Sequence, residues 1–123
     1  MSDTFATPSP GDHAAPRPSW QHEPCPRWCT RVHHEQDHPE DRIHQSEADL
    51  LGVLLAAPPV PHQPRSWASA ELVVRLGRHV GDPTTWVAIE TTEGPAPRVV
   101  LPVDSARLLR RHLGRQLQLA DLA

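Results

Sequence analysis

The sequence contains no lysine, no asparagine and no tyrosine, and only two cysteines in 123 residues. All twelve basic residues are therefore arginine. That bias matches codons rich in G and C, and reads as a signature of the genome before one of function. Two cysteines cannot build the disulfide framework of a small secreted domain. No apolar run approaches the roughly 20 residues needed to span a bilayer. The first stretch, MSDTFATPSPGDHAAPRPSW, lacks a basic start followed by an apolar run, so no signal peptide is expected. The expectation is a cytoplasmic protein with reduced thiols. The net charge of −3 gives no whole-chain attraction to nucleic acid or to an anionic membrane. Phosphate loops, G-x-S-x-G and H-E-x-x-H are missing. So are a helix-turn-helix pattern and a basic stripe interleaved with aromatics.

Proline is abundant, with 15 residues, and lies mostly outside the patterned segments. The length suits one domain with a small appendage. Residues 1–23 are rich in Pro, Ser, Ala and Asp, with only Phe5 and Trp20 as large apolar groups. Such a segment cannot bury enough surface to offset its ordering entropy, so a disordered tail is expected there. Residues 24–123 then form a single small domain: a Cys/His element (24–46), strands (47–103) and a helix (104–121). A core drawn from residues 45–120 alone is marginal by burial, and a metal or a partner would help it.

In EADLLGVLLAA, Leu51, Val53 and Leu55 alternate as in a strand, although Leu50, Leu51, Leu54 and Leu55 also fit helical spacing. Four prolines in PPVPHQP (58–64) make a loop. SAELVVRLGRHV (69–80) and TTWVAIETT (84–92) flank a Gly-Asp-Pro turn and read as a hairpin. EGPAP (93–97) is a second turn, and RVVLPV (98–103) a further strand. The last segment is a helix that Asp104 or Ser105 can cap. Its stripe of Ala106, Leu109, Leu113, Leu117 and Ala120 should cover one face of the sheet. The opposite face carries Arg107, Arg111 and Arg115, which suit a phosphate or an acidic partner, or simply solvent. Leu108, Leu119 and Leu122 lie off the stripe, where they suit a small dimer contact or a frayed end. The fold class is thus α+β: an antiparallel meander of three or four strands with one C-terminal helix packed on it, preceded by a Cys/His element.

The chemistry concentrates in CPRWCTRVHHEQDHPEDRIH (25–44), which holds both cysteines and four of the nine histidines. Cys25, Cys29, one of His33 or His34, and His44 form a possible four-ligand zinc shell. Pro26 suits the first position of a helical turn, which would place Cys25, Cys29 and His33 on one face at i, i+4 and i+8. His38 is a substitute for His44 if the loop folds tighter. Thiolates and imidazoles together fit Zn²⁺ better than Mg²⁺ or Ca²⁺. Glu35, Asp37, Glu40 and Asp41 could hydrogen-bond the ligand imidazoles, or form a solvated acidic loop. The C-x3-C spacing is not the usual C-x2-C of dithiol exchange, which argues against a redox pair. An incidental grouping of Cys and His is the remaining reading. Trp28 suits packing over the site; Trp67 and Trp86 suit core or loop-anchoring positions.

The set Cys25, Pro26, Trp28, Cys29, His33 or His34, His44 and Ser46, followed by strands and then Leu101, Ala106, Arg107 and Leu109 at the helix start, resembles a family of small actinobacterial proteins. That family is a domain of unknown function with a C-P-x-W-C…H…H motif. The resemblance covers roughly residues 24–120 and implies a shared metal-like motif and fold, with no assigned activity. Pro102 and Val103 depart from the family's Thr-Pro at the helix start, so its usual Thr cap is missing. The resulting expectation is a non-enzymatic, zinc-stapled binding or regulatory module whose partner is another protein. One alternative is a metal-dependent hydrolase with an open zinc position and Glu35 as base. The other is a zinc-containing nucleic-acid-binding protein that uses the arginine stripe.

Overall fold

The structure is a computed structural model that describes residues 17–93 and 98–122. In chain order it contains a 3-10 turn (Pro39–Asp41), β1 (Ile43–Gln45), β2 (Asp49–Ala56), β3 (Trp67–His79), β4 (Trp86–Thr91), β5 (Arg98–Pro102) and α1 (Val103–Ala120). All strand pairs are antiparallel. The expected meander is present as β2, β3, β4 and β5, and β1 adds a short fifth strand. The α+β expectation of an antiparallel sheet with one C-terminal helix holds. Of the expected tail, residues 1–16 lie outside the described residues, as does most of the turn expected at 93–97.

β3 organises the sheet. Its thirteen residues pair along one edge with β2 (Ala56 opposite Trp67 through Asp49 opposite Val74) and then with β1 (Gln45 opposite Gly77). Along the other edge, residues 72–77 pair with β4. β1 and β2 therefore lie end to end on one edge. Ser46 bridges the break between them. Its backbone N–H donates to the Leu76 carbonyl at 3.0 Å, and its hydroxyl accepts from the Leu76 N–H at 2.8 Å. The side chain supplies an acceptor where the ladder is interrupted.

The β3–β4 connection is made by Gly81, at φ +87°, and by Asp82, whose Oδ1 accepts from the Thr84 N–H. Gly77 stands opposite Trp86. A Cβ at residue 77 would collide with the indole, so glycine lets that ring lie against β3.

Alternation puts Leu51, Val53, Leu55, Leu72, Val74, Leu76, Val87, Ile89, Val99 and Leu101 on the same face as His44. The opposite face carries Val73, Arg75, Gly77, Trp86, Ala88 and Glu90. Among the described residues, the buried hydrophobic side chains are Cys29, Val73 and Ala88.

The helix starts one residue earlier than expected, with Pro102 at the N-cap and no side-chain cap bond. Asp104 does not cap it; its carboxylate instead accepts from Arg107 Nη1 at 3.1 Å. The helix meets β5 and β4. Its stripe is not sealed by that contact: Leu109, Leu113 and Leu117 remain 46–59 % exposed, and no helix residue is buried. Trp67, expected in the core or anchoring a loop, is also exposed.

Candidate metal centre

The Cys/His element is not helical. The Cys29 N–H donates to the Pro26 carbonyl at 3.0 Å, which closes a turn over residues 26–29 and brings the two thiols together. The chain then runs extended, with the Thr30 N–H donating to the Gln45 carbonyl at 3.0 Å. Cys25, Cys29 and His33 therefore do not meet at i, i+4 and i+8 of a helix. Proline at 26 gives a tight turn here because no regular i−4 bonding follows it. Extended backbone sends neighbouring side chains to opposite sides, so His33 points in while His34 is exposed.

The fourth donor comes from β1. His44 stands opposite Arg78 of β3 and is fully buried, as is Cys29. Ligand atoms of Cys25, Cys29, His33 and His44 all lie within 4.8 Å of one another, close enough to hold a metal ion. Cys29 Sγ is 3.7 Å from His33 Nε2. Both cysteines are free thiols. His38, the expected substitute, is engaged elsewhere: its Nδ1 accepts from the Glu40 N–H at 3.2 Å at the start of the 3-10 turn.

The carboxylate beside the cluster is Glu23, and sequence reasoning missed it. Its Oε2 lies 3.3 Å from His44 Nε2 and accepts from Arg78 Nη2 at 2.7 Å. Its Oε1 accepts from the Gly81 N–H at 2.8 Å. One side chain thus ties the Cys/His segment to β3 and to the β3–β4 turn. The ordered unit consequently begins before residue 24, where composition drew the boundary. Trp20 and Gln21 belong to it too. The Trp20 indole donates to the His34 carbonyl at 3.0 Å, and the Arg42 guanidinium sits 5.0 Å above its ring. Gln21 is buried, and its Nε2 lies 3.5 Å from Cys25 Sγ.

The acidic loop takes other roles. Glu35 accepts from both the backbone and the hydroxyl of Ser19, and Asp37 accepts from the His34 N–H. Neither bonds a clustered imidazole. A Pro/Ser-rich segment hides Glu23, and its partners are 21, 55 and 58 residues away in sequence, so no local pattern marks it.

The rings form a ladder. Trp20 meets His33 edge-on at 5.7 Å, His33 meets His44 at 5.3 Å, and His44 meets Trp28 at 6.5 Å, all near perpendicular. With His44 Nε2 facing Glu23, its Nδ1 is buried and makes no hydrogen bond. Burial pushes the His44 imidazole below its ordinary pKa, although the Glu23 bond pulls the other way. Burial opposes ionisation of Glu23, but the Gly81 amide, Arg78 and His44 together hold its carboxyl below the usual range. Burial, aided by the neighbouring Cys29 thiol, pushes the Cys25 thiol up. Burial thus works against charge on both His44 and Cys25, beside the buried, unbonded Nδ1 of His44.

Arg107, Arg111 and Arg115 do not approach the cluster as a group. They lie on the exposed helix surface, with Arg107 paired to Asp104. Beside the cluster, a cleft of about 650 Å³ is lined by Trp28, Leu76, Pro83, Val103 and Arg107, among others. Among the described residues, no helix is long and apolar enough to cross a membrane.

No curated protein and no solved structure matches the chain. Residues 6–123 match the family described as a domain of unknown function (DUF6907), and the chain belongs to that family.

Proposed function

We propose that Cys25, Cys29, His33 and His44 hold a structural Zn²⁺ that staples the N-terminal element to the sheet of a non-enzymatic binding or regulatory module. The observation that carries this reading is the convergence of two thiols and two imidazoles, from residues 25–33 and from β1, within 4.8 Å. Donors 2.0–2.3 Å from one tetrahedral ion stand about 3.3–3.8 Å apart, and the 3.7 Å between Cys29 Sγ and His33 Nε2 fits. His44 adds a second support: Glu23 holds one ring nitrogen and leaves Nδ1 buried for an ion, the arrangement that orients metal-bound histidines.

Four protein donors close the shell, which favours a structural role over catalysis. The hydrolase reading needs a free carboxylate base at the metal. Glu23 is committed to Arg78, Gly81 and His44, and Glu35 to Ser19. The nucleic-acid reading would rest on Arg107, Arg111 and Arg115 alone. The cleft beside Trp28 supports the binding role. Its volume lies within the range of ligand sites, and its lining mixes apolar groups (Trp28, Leu76, Val103) with polar ones (Thr84, Asp104, Arg107). Its occupant in this reading is a segment of another protein. Reduced thiols suit a cytoplasmic setting, and the all-arginine composition suits the high-GC actinobacterial source that the family resemblance implies.

Elemental analysis of the purified protein tests the site. The expected result is one zinc per chain, lost in Cys25→Ser and in His44→Ala and retained in His34→Ala. Unchanged zinc content in the first two variants would overturn the assignment.

A further inference from the structure

The described residues contain almost no conventional core. Their buried hydrophobic side chains are Cys29, Val73 and Ala88, and Cys29 belongs to the metal cluster. Meanwhile the His44 face of the sheet presents ten aliphatic residues, with Asp49, opposite Val74, at the end of β2. Leu51, Leu55 and Val99 on it are exposed, and Leu72, Val74 and Ile89 are only half-buried. The α1 stripe of Leu109, Leu113 and Leu117 is likewise exposed. Soluble monomers rarely leave so much contiguous apolar surface uncovered. An eighteen-residue helix with no buried residue is also poorly held, because packing supplies most helix stability in water.

We infer that the apolar sheet face around Leu51, Leu55, Leu72, Val74, Ile89 and Val99 is covered by helix α1 of a second copy of this chain. Two uncovered surfaces of complementary kind, an apolar helix stripe and an apolar sheet face, exist in the same molecule. A two-fold axis lets each copy's helix lie across the other copy's sheet, so both surfaces are sealed in one step and the contact is self-complementary. A foreign partner would have to supply both a helix and a sheet face to do the same.

The dimensions agree. The helix is about 27 Å long, and four strands at about 4.8 Å spacing span roughly 15–19 Å. The arginines at 107, 111 and 115 lie off the stripe, so the contact brings no like charges together. Taking a Leu or Val side chain as about 100 Å² of apolar area, each copy offers on the order of 400–500 Å². Two copies then bury close to 1,000 Å² of apolar surface. With a polar rim, this reaches a standard interface of roughly 1,600 Å².

Light scattering on the eluting protein at roughly 10 µM and above, where a standard interface holds, should give twice the chain mass. Leu113→Glu on the helix and Leu51→Arg on the sheet replace side chains exposed in one copy, so each variant should fold. Each alone should weaken the dimer at least tenfold. Mixed together they should re-form it, because the heterodimer keeps one native helix-on-sheet contact and gains one Glu–Arg contact. A monomeric parent protein, a dimer indifferent to both variants, or a mixture that stays monomeric would each overturn the inference. Retained zinc in the variants reports folding and keeps this test separate from that of the metal site.

Discussion

Replacing Glu23 should weaken metal binding and the fold together, though it supplies no ligand. In Glu23→Ala, His44 Nε2 loses its partner at zero exposure, and a buried polar group left without a bond costs about 1–3 kcal/mol. Arg78 and Gly81 lose their acceptor too, but both reach water and recover most of that loss. A partner that orients a metal-bound histidine contributes about 10–100-fold in affinity, or about 1.4–2.7 kcal/mol. The metal-free protein should therefore lose about 2–3 kcal/mol, a urea midpoint lower by about 1 M or more at an m-value near 2 kcal/mol/M. Zinc affinity should fall by one to two orders of magnitude. Glu23→Gln should resemble the alanine variant. Its single carbonyl oxygen can serve Gly81 or the Arg78 and His44 pair but not both, and its amide would place a donor against donors. Competition against a chromophoric chelator reads the affinity, and urea titration of metal-free protein reads the fold. Parental affinity and midpoint in both variants would refute the argument that Glu23 joins the metal segment to the sheet.

Acid should release the metal and loosen the fold in the same direction. The folded pKa of His44 is lowered, so the unfolded chain takes up a proton that the native state refuses. Its contribution is complete above the unfolded value near pH 6.5 and is lost as pH falls through the lowered folded value. Metal binding also requires deprotonated ligands. Because Trp20 and Trp28 flank the two histidines, their emission should shift on acidification and on chelation alike; emission unaffected by chelation would sink this. Gly77→Ala should cost about 1–3 kcal/mol by driving a methyl into the Trp86 ring. Most of that cost should vanish in a Trp86→Leu background, as a double-mutant cycle in urea would report. Ser46→Ala should cost about 1–2 kcal/mol by removing the acceptor for the Leu76 N–H, with faster amide exchange at Leu76 as its signature.

The strands of the meander were legible because alternation and turn chemistry act locally. Leu51, Val53 and Leu55 alternate, and Gly81-Asp82-Pro83 breaks the pattern where β3 ends. β1 escaped notice because three residues, Ile43, His44 and Gln45, are too few to show a period. The Cys/His set was visible as composition. Which of His33 and His34 faces inward was not, because extended or helical backbone decides it. The helical arrangement of Cys25, Cys29 and His33 failed because residues 26–29 close a turn and the chain then runs beside β1. The helix stripe was legible as a stripe, and the helix does meet β4 and β5, yet Leu109, Leu113 and Leu117 stay exposed: sequence shows that an apolar face needs cover, not how completely its neighbour supplies it.

The length of β3 makes the molecule mechanically uneven. At about 3.3 Å per residue its thirteen residues reach about 40 Å. One end is clamped through Arg78 by Glu23, while residues 67–70 are paired with β2 alone. Thermal fraying should then advance from the Trp67 end toward the thiols, so that the chain unzips like a strip riveted at a single corner.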